Sequence, residues 1–132
     1  FYISGKTLTE LTKNNNYIFP YTVFPFFIMP PNKDWLYNRI QIRLNKMLTV
    51  GFQKEVENLF YRGDLHLNLP SMRCIGYRQM WEYLEYNINY AEMYHRIIYA
   101  TRKLAKHQLT WLNKLKSLYI LKAQNSHILS KI

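Results

Sequence analysis

Cysteine occurs once in 132 residues, at Cys74, and glycine only four times. A lone thiol excludes an intrachain disulfide framework and a cysteine-based zinc cluster, and it fits a reducing compartment. No run of 18 apolar residues occurs, which excludes an ordinary membrane-spanning helix and gives the expectation of no membrane partner. No signal-peptide pattern is present. Acidic residues are scarce, with 8 Asp+Glu against 18 Lys+Arg and a formal net charge of +10. What is abundant argues for a folded chain: 48% of residues are hydrophobic and 17% aromatic, enough for a core and too much for disorder. The first residue is Phe1 rather than Met, so the chain is expected to be a piece of a longer one.

The excess charge is concentrated. Residues 1–69 carry 8 basic and 5 acidic side chains, and residues 70–132 carry 10 and 3. After Glu92 no acid follows, while Arg96, Arg102, Lys103, Lys106, Lys114, Lys116, Lys122 and Lys131 do. Such a surface draws a polyanion from a distance. A solvated, solubilising face is the plainer reading of the same lysines.

Along the chain, Ser4-Gly5-Lys6-Thr7 lacks the earlier glycine and the preceding buried strand that a phosphate loop needs. It reads instead as a turn before a short amphipathic segment, Leu8 to Leu11, with Asn14-Asn15-Asn16 as a loop. The run from Tyr21 to Met29, closed by Pro30-Pro31, is the best strand candidate. Pro25 places its start near Phe26. Its unbroken apolarity predicts burial on both faces, as in a parallel sheet, with partner strands missing from the sequence. Asn32 caps a helix over 33–50, with Leu36, Ile40, Leu44, Met47 and Leu48 inward and Gly51 as its stop. Arg39, Arg43 and Lys46 form a basic stripe beside that face. A second helix runs from Gln53 to Arg62 with Val56, Leu59 and Phe60 inward, and Asp64 to Leu69 is a linker. The unit from Met72 to Leu84 is interrupted by Gly76, marking a helix start, kink or close backbone approach. Asn89 caps a long helix, with Glu92 placed for a capping box. Its buried side is Met93, Ile97, Ala100, Leu104 and Trp111, and an acid-free stripe of Arg102, Lys106, Thr110 and Asn113 lies elsewhere. Leu118 to Leu121 is a short strand, followed by a polar tail.

Several constellations could carry chemistry. Cys74 lies near Arg73 and Arg78, which would favour a thiolate, but no Cys-His signature accompanies it, and a small buried hydrophobe is the other reading. His66, His95, His107 and His127 make no ligand pair at metal spacing, so no metal site is expected. Most aromatics are expected in the core. Tyr77, between two arginines and beside a glycine, is the ring best placed to meet a base. Arg39, Arg43 and Lys46 suit a phosphate or diphosphate as well as they suit a solvated helix flank.

Three stretches are more specific than any of these patterns: MLTVGFQKEVENLFYRG at 47–63, LPSMRCIGYRQMWEYLE at 69–85 and ATRKLAKHQLTWL at 100–112. Together they closely resemble the C-terminal part of bacterial tRNA dimethylallyltransferases, also called tRNA isopentenyltransferases. The opening ISGKTLTEL is similar to the segment joining that family's middle to its C-terminal helices. The resemblance implies an α/β fold: the mostly helical C-terminal part of a P-loop NTPase-like core, with one or two short strands that need the missing N-terminal sheet. Within 1–132 it implies a connecting segment and core strand at 1–31, a helical pair at 32–69, tRNA-contacting helices at 70–115 and a tail at 116–132.

The activity implied is transfer of a dimethylallyl group from dimethylallyl diphosphate to N6 of the adenosine beside the tRNA anticodon. Mg2+ is the implied cofactor, and its ligands, the nucleotide-type phosphate loop and the catalytic base all fall outside this stretch. No catalytic residue is therefore expected here, and the isolated 132 residues are expected to be inactive. Arg43 matches an arginine near the diphosphate. Arg73, Cys74, Ile75, Gly76, Tyr77 and Arg78 match one tRNA-contacting motif. Lys106, His107, Gln108, Leu109, Thr110, Trp111, Leu112 and Asn113 match another, although His107 and Asn113 stand where close relatives carry arginine. A cytoplasmic, monomeric enzyme is implied. The competing expectation is a non-catalytic, basic RNA-binding helical module. A basic DNA-binding helical domain rests on charge and helices alone.

Overall fold

The computed structural model describes residues 5–13, 20–115 and 119–123. In chain order these form α1 (Leu8–Lys13), β1 (Phe26–Met29), α2 (Lys33–Val50), α3 (Phe52–Phe60), α4 (Tyr77–Leu84), α5 (Tyr90–Leu112) and β2 (Tyr119–Lys122). The triplet Asn14-Asn15-Asn16 lies outside the described residues, as do Ser4, Leu118, His127 and the polar tail.

Local chemistry sets most of these boundaries. Thr7 and Glu10 cap α1 reciprocally: Glu10 N–H donates to Thr7 Oγ1 at 3.3 Å, and Thr7 N–H donates to Glu10 Oε2 at 2.7 Å. The threonine of Gly-Lys-Thr is thus a helix cap. Asn32 Oδ1 accepts from Trp35 N–H at 2.8 Å and starts α2. Gly51 ends it with φ of 110°, a left-handed conformation that favours glycine, and α3 begins at the next residue. α3 closes at Phe60 because the last turn tightens, with Arg62 N–H donating to Leu59 C=O at 3.3 Å. Asn89 Oδ1 caps α5 by accepting from Glu92 N–H at 2.9 Å. The expected return half of that capping box is replaced, since the Glu92 carboxylate binds Arg96 at 2.6 Å.

The core lies among α2, α3, α4 and α5. Its buried members are Leu44, Phe52, Val56, Met72, Met80, Trp81, Met93, Ile97 and Ile98. Leu65, Leu67 and Leu69 pack against it from the 64–69 linker, which explains that linker's alternating apolar residues. Trp81 sits with its ring 4.8 Å from that of Phe60, while its Nε1 donates to Glu85 at 2.9 Å, so the indole is buried without losing its hydrogen bond.

Two expectations change. The apolar side assigned to α5 runs too far: Met93 and Ile97 are buried, but Leu104 is 48% and Trp111 63% exposed. The core is only as tall as α4, so the later turns of α5 extend past it. The strand at 26–29 also has a partner within the chain. β1 and β2 pair in parallel with Phe26 opposite Tyr119 and Met29 opposite Lys122. The two-sided burial expected for β1 does not hold among the described residues: Phe26 and Ile28 are exposed, and Phe27 and Met29 half-buried. A two-stranded sheet has too little surface to cover both of its faces.

Met93 is fully buried. Met93→Ala should lower the unfolding free energy by about 2–5 kcal/mol through lost packing and a residual cavity. Trp111→Ala should change it by no more than about 0.5 kcal/mol. Urea denaturation followed by far-ultraviolet circular dichroism checks both.

Candidate nucleic-acid interface

Arg39, Arg43 and Lys46 emerge on one side of α2, as steps of four and three residues require, and all three are exposed. The Arg39 guanidinium lies 5.8 Å from the Trp35 ring centroid. Arg43 and Lys46 border a cleft of about 470 Å³ whose apolar wall is Met47, Val50 and Phe52 and whose acid is Glu55. Arg43 also borders a second cavity of about 220 Å³ with Ile75 and Gly76, and with Thr101 and Leu104 of α5. The structure therefore brings the predicted diphosphate residue and the centre of the 73–78 motif to one cavity.

The 73–78 segment is a turn leading into α4. Leu69 C=O accepts from both Met72 and Arg73 N–H, at 3.1 and 3.2 Å. Arg73, Cys74 and Ile75 are exposed, so the buried reading of Cys74 does not hold; its Sγ lies 3.9 Å from Pro70 C=O. Gly76 has φ of 97° and is buried, and an added Cβ would lie 3.2 Å from Phe52 Cζ. It is both the helix start and the close approach that its place in the sequence allows. Its N–H donates to Gln79 Oε1 at 2.9 Å.

Tyr77 is not a free stacking platform. Its ring meets Phe52 edge-on at 5.6 Å, and its hydroxyl donates to Glu55 Oε1. That bond to a carboxylate, with burial second, holds the phenol above its ordinary pKa of 10.0. Arg78 pairs with Glu82 at 3.1 Å, one turn along α4, and the same carboxylate takes Arg96 from α5 at 3.1 Å.

The second motif occupies the last turns of α5. Lys106, His107, Gln108, Thr110, Trp111 and Asn113 are exposed, while Leu109 and Leu112 are half-buried. Thr110 Oγ1 donates to Lys106 C=O at 2.9 Å, and Asn113 is the helix C-cap. Arg102, expected in the same open stripe, is instead half-buried, with its guanidinium 4.5 Å from the centroid of Tyr37 on α2.

The ion pairs sort the cations into two populations. Lys54, Arg62, Arg78 and Arg96 meet carboxylates. Among the described residues, Lys33, Arg39, Arg43, Lys46, Arg73, Arg102, Lys103, Lys106, Lys114 and Lys122 are in no ion pair. Most of the uncompensated charge thus lies on α2, on the 73–78 turn and on the later half of α5, with Lys122 on β2 apart from them. A polyanion meeting these groups has no internal acid to displace.

Sequence reasoning missed four residues of the site. Phe52 and Glu55 lie on one face of α3 at i, i+3, a spacing that was available to find them. Thr101 and Leu104 reach the Arg43 cavity from α5, and nothing local signals that.

The sequence profile of the family described as IPP transferase matches residues 1–115. The chain belongs to the IPP transferase family. It is 68% identical over 118 residues to a tRNA dimethylallyltransferase of Buchnera aphidicola subsp. Acyrthosiphon pisum (strain APS), covering 89% of this chain and 38% of that one. A Buchnera aphidicola subsp. Baizongia pistaciae protein of the same name is 51% identical over 134 aligned positions, with 100% of this chain and 42% of that one covered. The fold matches the full-length tRNA isopentenylpyrophosphate transferase of Bacillus halodurans at a TM-score of 0.76 and 26% identity, over 93% of this chain and 40% of that one. The chain spans about two fifths of the length of these relatives.

The sequence resemblance implies Mg2+, with its ligands outside this stretch. Among the described residues no three His, Cys, Asp or Glu side chains converge as metal donors. The Arg43 cleft is lined by two cations. With Glu55 as their one carboxylate, these residues do not fit a divalent metal.

Two measurements test the turn. Gly76→Ala should cost about 1–3 kcal/mol in urea unfolding, because it adds strain at positive φ and crowds Phe52. The raised Tyr77 pKa contributes stability that is complete below the ordinary value and lost as pH rises through the folded one. In Tyr77→Phe, the alkaline loss of urea stability should accordingly be smaller than in the unsubstituted chain.

Proposed function

We propose that this chain is the C-terminal part of a tRNA dimethylallyltransferase that moves a dimethylallyl group from dimethylallyl diphosphate to N6 of the adenosine beside the anticodon. The observation that carries this reading is the shared cavity: Arg43 on α2 faces Ile75 and Gly76 of the motif expected to contact tRNA. Family membership and the names of the relatives support it.

In the reaction, adenosine N6 bonds to the allylic carbon as the carbon–oxygen bond to diphosphate breaks, and the oxygen keeps the electron pair. Negative charge grows on the leaving diphosphate. Arg43, with no carboxylate partner among the described residues, stabilises it there, aided by Lys46 across the neighbouring cleft. The N6 proton leaves to a base that the resemblance places outside this segment, as it does the P-loop core and the Mg2+ ligands. The target base must leave its stack to be reached. The 73–78 turn holds the displaced loop, and Lys106 with the neighbouring residues to Asn113 grips the RNA backbone without reading sequence. This reading takes the enzyme to be cytoplasmic and monomeric.

A chimera tests the proposal. The matching segment of the 68% identical Buchnera relative is replaced by this chain, and tRNA nucleosides are analysed by mass spectrometry. Dimethylallyl adenosine is the expected product. In the chimera, Arg43→Ala should lower the single-turnover rate by about tenfold or more, with RNA affinity little changed. Lys106→Ala should weaken binding and reduce the salt slope by about one unit. A chimera that folds and binds tRNA but leaves it unmodified would sink the proposal in favour of an RNA-binding module.

A further inference from the structure

Glu55 places a negative charge in the one cleft wall that Arg43 and Lys46 make basic. At a surface meant for a polyanion this charge opposes binding, so its presence needs a compensating role. The structure offers one. The carboxylate accepts from the Tyr77 hydroxyl, 22 residues away, and so ties α3 to the start of α4. Two further contacts hold the same point: the Phe52 ring lies against Gly76 and edge-on to Tyr77, and Gln79 accepts from Gly76 N–H. Phe52 and Glu55 both stand on α3, which is joined to α2 through the single residue Gly51. The position of the turn relative to Arg43 is therefore set through a chain of short connections.

We propose that Glu55 is a positioning residue: through the Tyr77 hydroxyl its carboxylate holds the Cys74–Tyr77 turn against α2, so that Arg43 and the Ile75–Gly76 backbone face one ligand. Neither Glu55 nor Tyr77 needs to touch RNA for this. The consequence for RNA rests on the proposed function, whereas the consequence for the turn does not.

The sign of the effect separates this role from simple charge repulsion. If Glu55 only repelled phosphate, its removal would tighten RNA binding. As a positioning residue, its removal loosens the turn and weakens binding. The chimera described above is titrated with an anticodon stem-loop RNA in unsubstituted, Glu55→Ala, Glu55→Gln, Tyr77→Phe and Glu55→Ala/Tyr77→Phe forms. Glu55→Ala should weaken binding by about tenfold or more, the scale of a hydrogen bond to a charged group. Glu55→Gln should recover most of this loss, since its amide oxygen still accepts. Tyr77→Phe should match Glu55→Ala, and the double variant should be no worse than either. The salt slope should stay constant, because no phosphate contact is removed. Tighter binding by Glu55→Ala overturns the proposal.

Amide hydrogen exchange gives a reading independent of RNA. In Glu55→Ala and Tyr77→Phe, amides from Gly76 to Met80 should exchange about tenfold faster, and those of Met93 to Ile98 at an unchanged rate. Unchanged exchange at Gly76–Met80, or equal acceleration throughout, also overturns it. If the unsubstituted chimera binds no RNA, the functional proposal falls and the exchange comparison alone decides this one.

Discussion

Phe52 and Gly76 touch where α3 and α4 begin, and the missing side chain at position 76 is what permits the contact. A methyl group there would sit 3.2 Å from the Phe52 ring, on a backbone already at positive φ. With glycine in place, the ring fills the junction, and two concavities that share Arg43 and Met47 lie beside it. One is the cleft of Arg43, Lys46 and Glu55. The other is the cavity shared by Arg43, Ile75 and Gly76. Tyr77 closes the junction by lying edge-on to the same ring and bonding Glu55. This apolar contact seats the start of α4 against α3, beside the cavity where Arg43 meets Ile75 and Gly76.

Charge is arranged around that junction by subtraction. The acids of α4 and the first turn of α5 neutralise Arg78 and Arg96, forming a network that holds the two helices together. Exposed pairs of this kind contribute little stability each, but Glu82 joins two helices and is mostly covered, which gives its pairs a defined geometry. Among the described residues, what remains outside ion pairs is mainly the set on α2, Arg73 and the later half of α5. The formal charge of +10 is thus less informative than its residue after internal pairing.

Surfaces away from the junction are apolar without being covered by described residues. Phe26, Ile28, Tyr119 and Ile120 are exposed on the two-stranded sheet, and Trp111 on α5. Two short parallel strands make a marginal sheet by themselves. The relatives matched by this chain are about two and a half times its length. In the proposed enzyme the sheet would continue into the core that the resemblance implies.

Helix limits were legible wherever a single residue decides them. Asn32, Gly51 and Asn89 stop or start helices by local hydrogen bonding and backbone freedom, and each acts where the sequence places it. The inward faces of α2 and α3 followed from spacing of 3.6 residues per turn. The same rule overran on α5, because periodicity marks which side of a helix is apolar but not how far its neighbours reach. Trp111 continues the pattern and is nonetheless 63% exposed. The strand pair was half visible: both segments could be proposed, but register between residues some ninety positions apart has no local signal.

By itself the sequence determined the excess of cations, their release from acids after Glu92, the helix caps and the family, because all of these are properties of residue types and short-range order. Only the tertiary structure decided which cations stay free, that Tyr77 is engaged by Phe52 and Glu55, that Cys74 is exposed, and that Arg43 shares a cavity with Gly76. These depend on distances between segments far apart in the chain, and such distances are fixed by how the helices pack.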